Sequence, residues 1–298
     1  TEAVTYIVQR MESMSAAFCL LSLIAFIHAA RAKGTIKKYI CYALVPLTYI
    51  AAFYSKEIAI TAPALVLLYD IYFISAGNLK KVVKKWPLYA ALALISMFFI
   101  ITTVAPLGGF NDMSRETALA TAPATLSSEG RYADIPALKS LPTAGFGVVT
   151  TTPAEYFMTE SNVLLYYYSL LILPINQNID YDFPLSRGLF ARPKADKNTS
   201  LTMPLPPPII SILIHIALIA LAVFLFARSR EKKAPAGRCI SFFIIWFFIV
   251  LSPTSSFIPI IDVIFEHRLY LATLGYAVIL TLIIEKIIMA RQDRGSAV

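Results

Sequence analysis

The sequence predicts an all-α integral membrane fold of about seven transmembrane helices plus one short interfacial or re-entrant helix. Three observations carry that prediction. Apolar residues make up 58% of the chain and charged residues only 15%, where a soluble domain carries about a quarter charged. Mean hydropathy is +0.69; a soluble core cannot absorb so much apolar surface, whereas a bilayer can, provided that helices satisfy the backbone. The basic residues fall in short clusters beside apolar runs, which is how a membrane protein sets its orientation.

Seven apolar segments have the length of spans, at roughly 14–31, 39–54, 58–76, 87–106, 207–227, 239–255 and 268–290. An eighth run, Asn162 to Leu173, offers about a dozen residues before Pro174, a length that suits an interfacial or re-entrant helix better than a span. The basic clusters decide between the two. Arg31, Lys33, Lys37 and Lys38 follow the first segment, and Lys80, Lys81, Lys84 and Lys85 the third. Arg228, Arg230, Lys232, Lys233 and Arg238 follow the fifth, and Arg291 and Arg294 the seventh. All four clusters share one face only if 162–173 does not cross. The N-terminus, the tight Ser55-Lys56-Glu57 link, the region 107–206 and the segment 252–267 are then expected on the opposite, outer face. A single membrane domain, 1–298, is predicted, with outer loop regions 107–161 and 174–206.

The net charge of +8 is spread over these clusters and so does not indicate nucleic-acid binding, which needs one basic patch. Cys19, Cys41 and Cys239 lie in or beside apolar segments without a CxxC partner, so neither a disulfide framework nor a zinc site is indicated. No Walker loop, GxSxG or HExxH occurs. His28 and His215 fit packing or a helix–helix hydrogen bond, Asp70 is expected to reach the inner interface, and Tyr166 to Tyr168 resemble an aromatic anchor. Residue 1 is Thr rather than Met, and Val298 follows closely on a hydrophobic helix. The chain is therefore expected to be an internal piece of a longer protein.

Charges near the ends of apolar helices cost several kcal/mol unless they pair or reach water. Four clusters of this kind fall on the predicted outer side: Arg10 with Glu12, Lys56 with Glu57, Asp180 with Asp182, and Asp262, Glu266, His267 and Arg268. One reading is a polar site at the membrane boundary, where Arg and Lys hold a phosphate and carboxylates orient a sugar or an acceptor hydroxyl. The other is snorkelling and helix-end ion pairing.

At these same places the sequence resembles a known family. Thr1-Glu-Ala-Val-Thr-Tyr-Ile-Val-Gln-Arg-Met-Glu-Ser13, Ser55-Lys-Glu-Ile-Ala-Ile-Thr-Ala-Pro63 running on to Tyr69-Asp70, Leu173-Pro-Ile-Asn-Gln-Asn-Ile-Asp-Tyr-Asp-Phe-Pro184, and Pro253-Thr-Ser-Ser-Phe-Ile-Pro259 followed by Glu266-His-Arg-Leu-Tyr-Leu271 stand in that order. Together they resemble segments of bacterial relatives of the transmembrane-and-tetratricopeptide-repeat O-mannosyltransferases. The resemblance implies a GT-C glycosyltransferase fold in the bacterial inner membrane with its active face periplasmic. It implies transfer of a mannose-like sugar from a polyprenyl-phosphate donor to a hydroxyl on a protein or glycan acceptor. The family's catalytic acidic loop would lie upstream of residue 1, so the catalytic residue is unknown and this piece is expected to be inactive alone. Lys56, Arg268 and Arg10 are the expected phosphate-holding residues. Glu57, Glu266, His267, Asp180 and Asp182 are expected to orient them or the acceptor. No metal ligands are assigned, and the need for a divalent ion stays open. Ala272-Thr273 departs from the family's Pro-Ser after Leu271, and Thr159-Glu-Ser-Asn-Val163 lacks a basic residue expected there. A non-catalytic membrane scaffold and a lipid-linked glycan transporter are the alternatives.

Overall fold

The computed structural model describes residues 9–104, 148, 151–175, 177–178, 181–194, 201, 203–232 and 234–295. Among them every element is a helix, with no strand. In chain order the α-helices are α1 (Arg10–Arg31), α2 (Thr35–Ser55), α3 (Ala62–Tyr69), α4 (Leu79–Val83), α5 (Trp86–Phe99), α6 (Pro153–Ile172), α7 (Pro208–Lys232), α8 (Pro235–Leu251) and α9 (Tyr270–Gly295). A 3-10 turn, Glu57–Thr61, and a π turn, Asp70–Ile74, extend α3 at its two ends; a second π turn, Ile100–Val104, continues α5, and Glu266–Leu269 leads into α9 as 3-10 helix.

Five helical stretches are long and apolar enough to cross a membrane: Arg10–Arg31, Thr35–Ser55, Glu57–Ile74, Pro208–Arg230 and Glu266–Met289. Trp86–Thr102 and Pro235–Leu251 are apolar but shorter. Proline places several starts: Pro63, Pro87, Pro153 and Pro235 sit in the first turns of α3, α5, α6 and α8, where the missing N–H has no intrahelical partner to lose. Large apolar side chains such as Leu213, Phe224, Leu94, Phe98, Ile284 and Ile288 point outward, as lipid-facing residues must.

Two cores hold the bundle. One joins α1, α2, α3 and α5 around Phe26, Tyr49, Phe53 and Phe99, with Phe53 stacked on Phe99 at 3.8 Å and Tyr49 hydrogen-bonded to Ser96 at 2.8 Å. The other packs α3, α6, α7, α8 and α9 around Tyr166, Tyr167, Trp246 and Leu251.

The basic turns share one end. Gly77 lies so close to Arg230 that a Cβ on Gly77 would stand 2.7 Å from its Nε, and Arg238 donates to Ser229 O at 3.2 Å. Asp70, expected to reach the interface, is instead fully buried at this end. Lys85 Nζ meets its carboxylate at 2.7 and 2.9 Å, Ser75 Oγ donates at 2.8 Å and Tyr89 OH at 2.5 Å. The lysine reaches back to the acid rather than the acid reaching out, because four carbons of stem span what an aspartate cannot.

The eighth apolar run is longer than predicted. Its helix starts at Pro153, inside the supposed outer loop 107–161, so α6 has 20 residues. A capping box opens it: Thr152 Oγ1 accepts from Glu155 N at 3.2 Å, and Thr152 N donates back to Glu155 Oε2 at 3.0 Å. Ser161 O and Tyr168 OH both meet the His215 ring, at 2.8 and 3.2 Å, while Asn162 accepts from Ser211 Oγ at 2.5 Å. Helix α6 thus packs on the first two turns of α7, at the end of the bundle opposite the basic turns.

Candidate functional site

That opposite end gathers four buried or half-buried charges from four elements. Glu12 lies in the first turn of α1 and is buried. Lys56 is the single residue between α2 and the 3-10 turn; its N–H bonds Ala52 O at 3.0 Å and its extended backbone turns the chain back into the bundle. So short a link gives the ammonium no freedom to drift from the helix ends. Lys56 Nζ meets Glu12 Oε2 at 2.7 Å and Gln9 Oε1 at 3.1 Å. The contact with Glu12 is an electrostatic pairing rather than a well-aligned hydrogen bond, since that oxygen finds no hydrogen-bond partner by angle.

Arg268 enters from the 3-10 turn before α9 and is 6% exposed. Its Nη1 donates to Val263 O at 2.8 Å and its Nη2 to Asp262 O at 2.7 Å, and its Cζ lies 5.3 Å from the Phe265 ring centroid. The segment before α9 thus folds back onto its own arginine. Tyr167 OH, from α6, fixes the same segment by donating to Phe265 O at 2.9 Å and accepting from Phe265 N at 3.2 Å. Glu12 and Arg268 also line one small cleft, together with Ser15, Cys19, Thr61 and Leu271.

Glu160, on α6, is the residue that sequence reasoning missed. It is 1% exposed, and neither carboxylate oxygen has a hydrogen-bond partner among the described residues. Tyr156, one turn earlier, gives its hydroxyl proton to Thr254 O at 2.6 Å. Burial pushes the Glu160 carboxyl up to about 8, against the lowering pull of Arg268 and of the nearby Ser255 and Tyr156 hydroxyls. A readable signal existed in the Thr152-Pro-Ala-Glu155 cap, which predicts a helix running through Thr159-Glu-Ser-Asn162 instead of a loop.

The other expected residues divide. Glu266 joins a second polar group: its Oε1 accepts from Asn178 N at 2.8 Å and from Tyr181 OH, and burial and that carboxylate push the Tyr181 phenol up. The clasp fixes Asn178 and Tyr181 over the start of α9. His267 is buried, its ring stacked on Phe265 at 4.9 Å. Glu57 is exposed beside the pair and acts on Glu12 only through its charge. Arg10 and Asp182 are exposed, with no ion pair among the described residues, and Asp180 lies outside the described residues. His215 makes the helix–helix hydrogen bonds anticipated for it. Among the described residues no three His, Cys, Asp or Glu side chains stand close enough to hold a metal ion. No protein-family model, curated protein or solved structure matches the chain.

Proposed function

We propose that this chain is the membrane body of a GT-C-type glycosyltransferase in a bacterial inner membrane. It would cross the membrane seven times, with α6 lying at the outer, periplasmic boundary. In this reading a sugar passes from a polyprenyl-phosphate donor to a hydroxyl acceptor at the end of the bundle that holds Glu12, Lys56, Glu160 and Arg268. The observation that supports it is the convergence of Lys56 and Arg268, 212 residues apart in sequence, on one buried carboxylate, Glu12, at the edge of a cleft. Cations held in this way stabilise negative charge that grows as a lipid phosphate departs. Arg268 is held by two carbonyls, which fixes the plane of its fork. The acid that activates the acceptor is proposed to come from the family's acidic loop, outside these residues.

A scaffold reading has its own observation. Lys56 is already paired, so the cluster also serves as a strut between α1 and the 57–61 turn.

Sugar transfer by the full-length parent in membranes separates the two. Loss of one cation from a partly dehydrated phosphate site costs about 2–4 kcal/mol. Arg268→Ala and Lys56→Ala should each lower transfer from a polyprenyl-phosphate donor by roughly 30-fold or more, about 2 kcal/mol. Arg268→Lys should recover only part, since an ammonium cannot reproduce the planar fork. Lys38→Ala, at the opposite end, should be neutral. Folded variants that all stay within twofold of wild type would leave the strut as the whole role.

A further inference from the structure

Glu160 has no task in the reading above, yet it is the most costly side chain at this end of the bundle. An ionised carboxylate without hydrogen bonds at 1% exposure is tolerated only beside an opposite charge or in its protonated form. Ser255 Oγ, from the segment before the last helix, is likewise buried without a hydrogen-bond partner. The groups acting on Glu160 are Tyr156 from its own helix, Ser255 from that segment, and Arg268 from the 3-10 turn. Tyr167, also on α6, is influenced by Glu160 in turn. On the α1 side, Glu12 interacts with the same guanidinium and is already paired with Lys56. Arg268 therefore stands between two acids, only one of which has a second cation to answer it.

With all four groups ionised, Lys56 and Arg268 cancel Glu12 and Glu160 and the site carries no net charge. An anion arriving on Arg268 would then meet a neutral pocket with a carboxylate beside it. With Glu160 protonated, the pocket carries one positive charge and the repulsion is gone. We propose that Glu160 is the internal counter-charge of Arg268, and that an anion seated on Arg268 is taken up together with one proton, which goes to the Glu160 carboxylate. Glu160 is thereby a positioning residue: it acts on the ligand through Arg268. The upward shift of its carboxyl places the exchange in an accessible range. The inference rests on Arg268 as an anion-holding residue, and its test keeps the two ideas apart.

The probe is farnesyl methyl phosphate, a phosphodiester whose single negative charge does not titrate in the working range. Binding to the full-length protein in detergent micelles is followed by calorimetry between pH 7 and 9, in two buffers of different ionisation enthalpy. Wild type should take up about a tenth of a proton at pH 7 and about nine-tenths at pH 9. Its apparent Kd should weaken about tenfold over that interval, as the binding-competent fraction falls. Glu160→Gln should still bind, with a flat pH profile and no uptake. Should that variant fail to fold, the wild-type uptake decides alone. Binding by wild type that is independent of pH and takes up no proton overturns the coupling while leaving the anion site intact. So does uptake that survives in Glu160→Gln and disappears in His267→Gln. A wild type that fails to bind the probe at any pH removes the anion site and the coupling with it.

Discussion

Substituting Lys56 by alanine strands Glu12, and the stability cost of doing so can be worked from the structure. Glu12 is 5% exposed and its partner ammonium stands 2.7 Å away on a side chain 25% exposed. Removing one member of a fully buried pair costs about 3–5 kcal/mol. Here the lysine keeps partial contact with solvent and Arg268 supplies a second positive charge to Glu12, so about 2 kcal/mol is the expected loss for Lys56→Ala. Glu12→Gln leaves a neutral amide facing Lys56, which retains Gln9 at 3.1 Å, and should cost about 1 kcal/mol. In the double variant no charge is stranded, so its loss should also be about 1 kcal/mol and the coupling about 2 kcal/mol. Unfolding in mixed micelles, followed by tryptophan fluorescence, measures this directly, because Trp246 is buried in the second core. Single losses that add within about 0.5 kcal/mol in the double variant would refute the pairing as an energetic unit and return both residues to independent helix-end roles.

Two other outcomes follow from local geometry. Gly77 has φ +78° and abuts Arg230, so Gly77→Ala should destabilise by about 1–2 kcal/mol, whereas Ala76→Gly, at φ +47°, should be neutral or stabilising by up to about 1 kcal/mol; the same unfolding assay reads both. Glu160, whose folded value is raised to about 8 from 4.5, binds more protons in the folded than in the unfolded state between those values, so wild-type stability should be full below about pH 4.5 and fall until about pH 8. Glu160→Gln should lose that slope, and an unchanged slope would show that Glu160 is not the titrating group.

The helical bundle was legible because lipid-facing helices announce themselves by composition: long apolar runs such as 207–227 and 268–290 allow no other fold. Helix α6 was half legible, because its second and third turns present polar residues to the protein interior. Thr159, Glu160, Ser161 and Asn162 are all buried, and polarity read as exposure is the wrong inference at that place. The site was legible as a list of charges near helix ends, but not as pairs. Nothing in sequence spacing joins Lys56 to Glu12 rather than to its neighbour Glu57, or separates Arg10, which is exposed, from Arg268, which is buried. Such choices depend on how helix ends meet across the bundle, a long-range matter that local pattern does not encode.

The carboxylate of Asp70 also constrains how the protein is made. Its cation, Lys85, follows it by 15 residues, and Tyr89 by 19. At 5–20 residues per second, the acid leaves the ribosome roughly one to three seconds ahead of its partner. During that interval a segment carrying an unanswered carboxylate would have to settle into lipid by itself, at a cost of several kcal/mol. Delivery of the two segments as one hairpin, closed by the lysine as it emerges, avoids that state. The pairing also draws one lysine out of the group of four, Lys80, Lys81, Lys84 and Lys85, and makes it the latch of the hairpin.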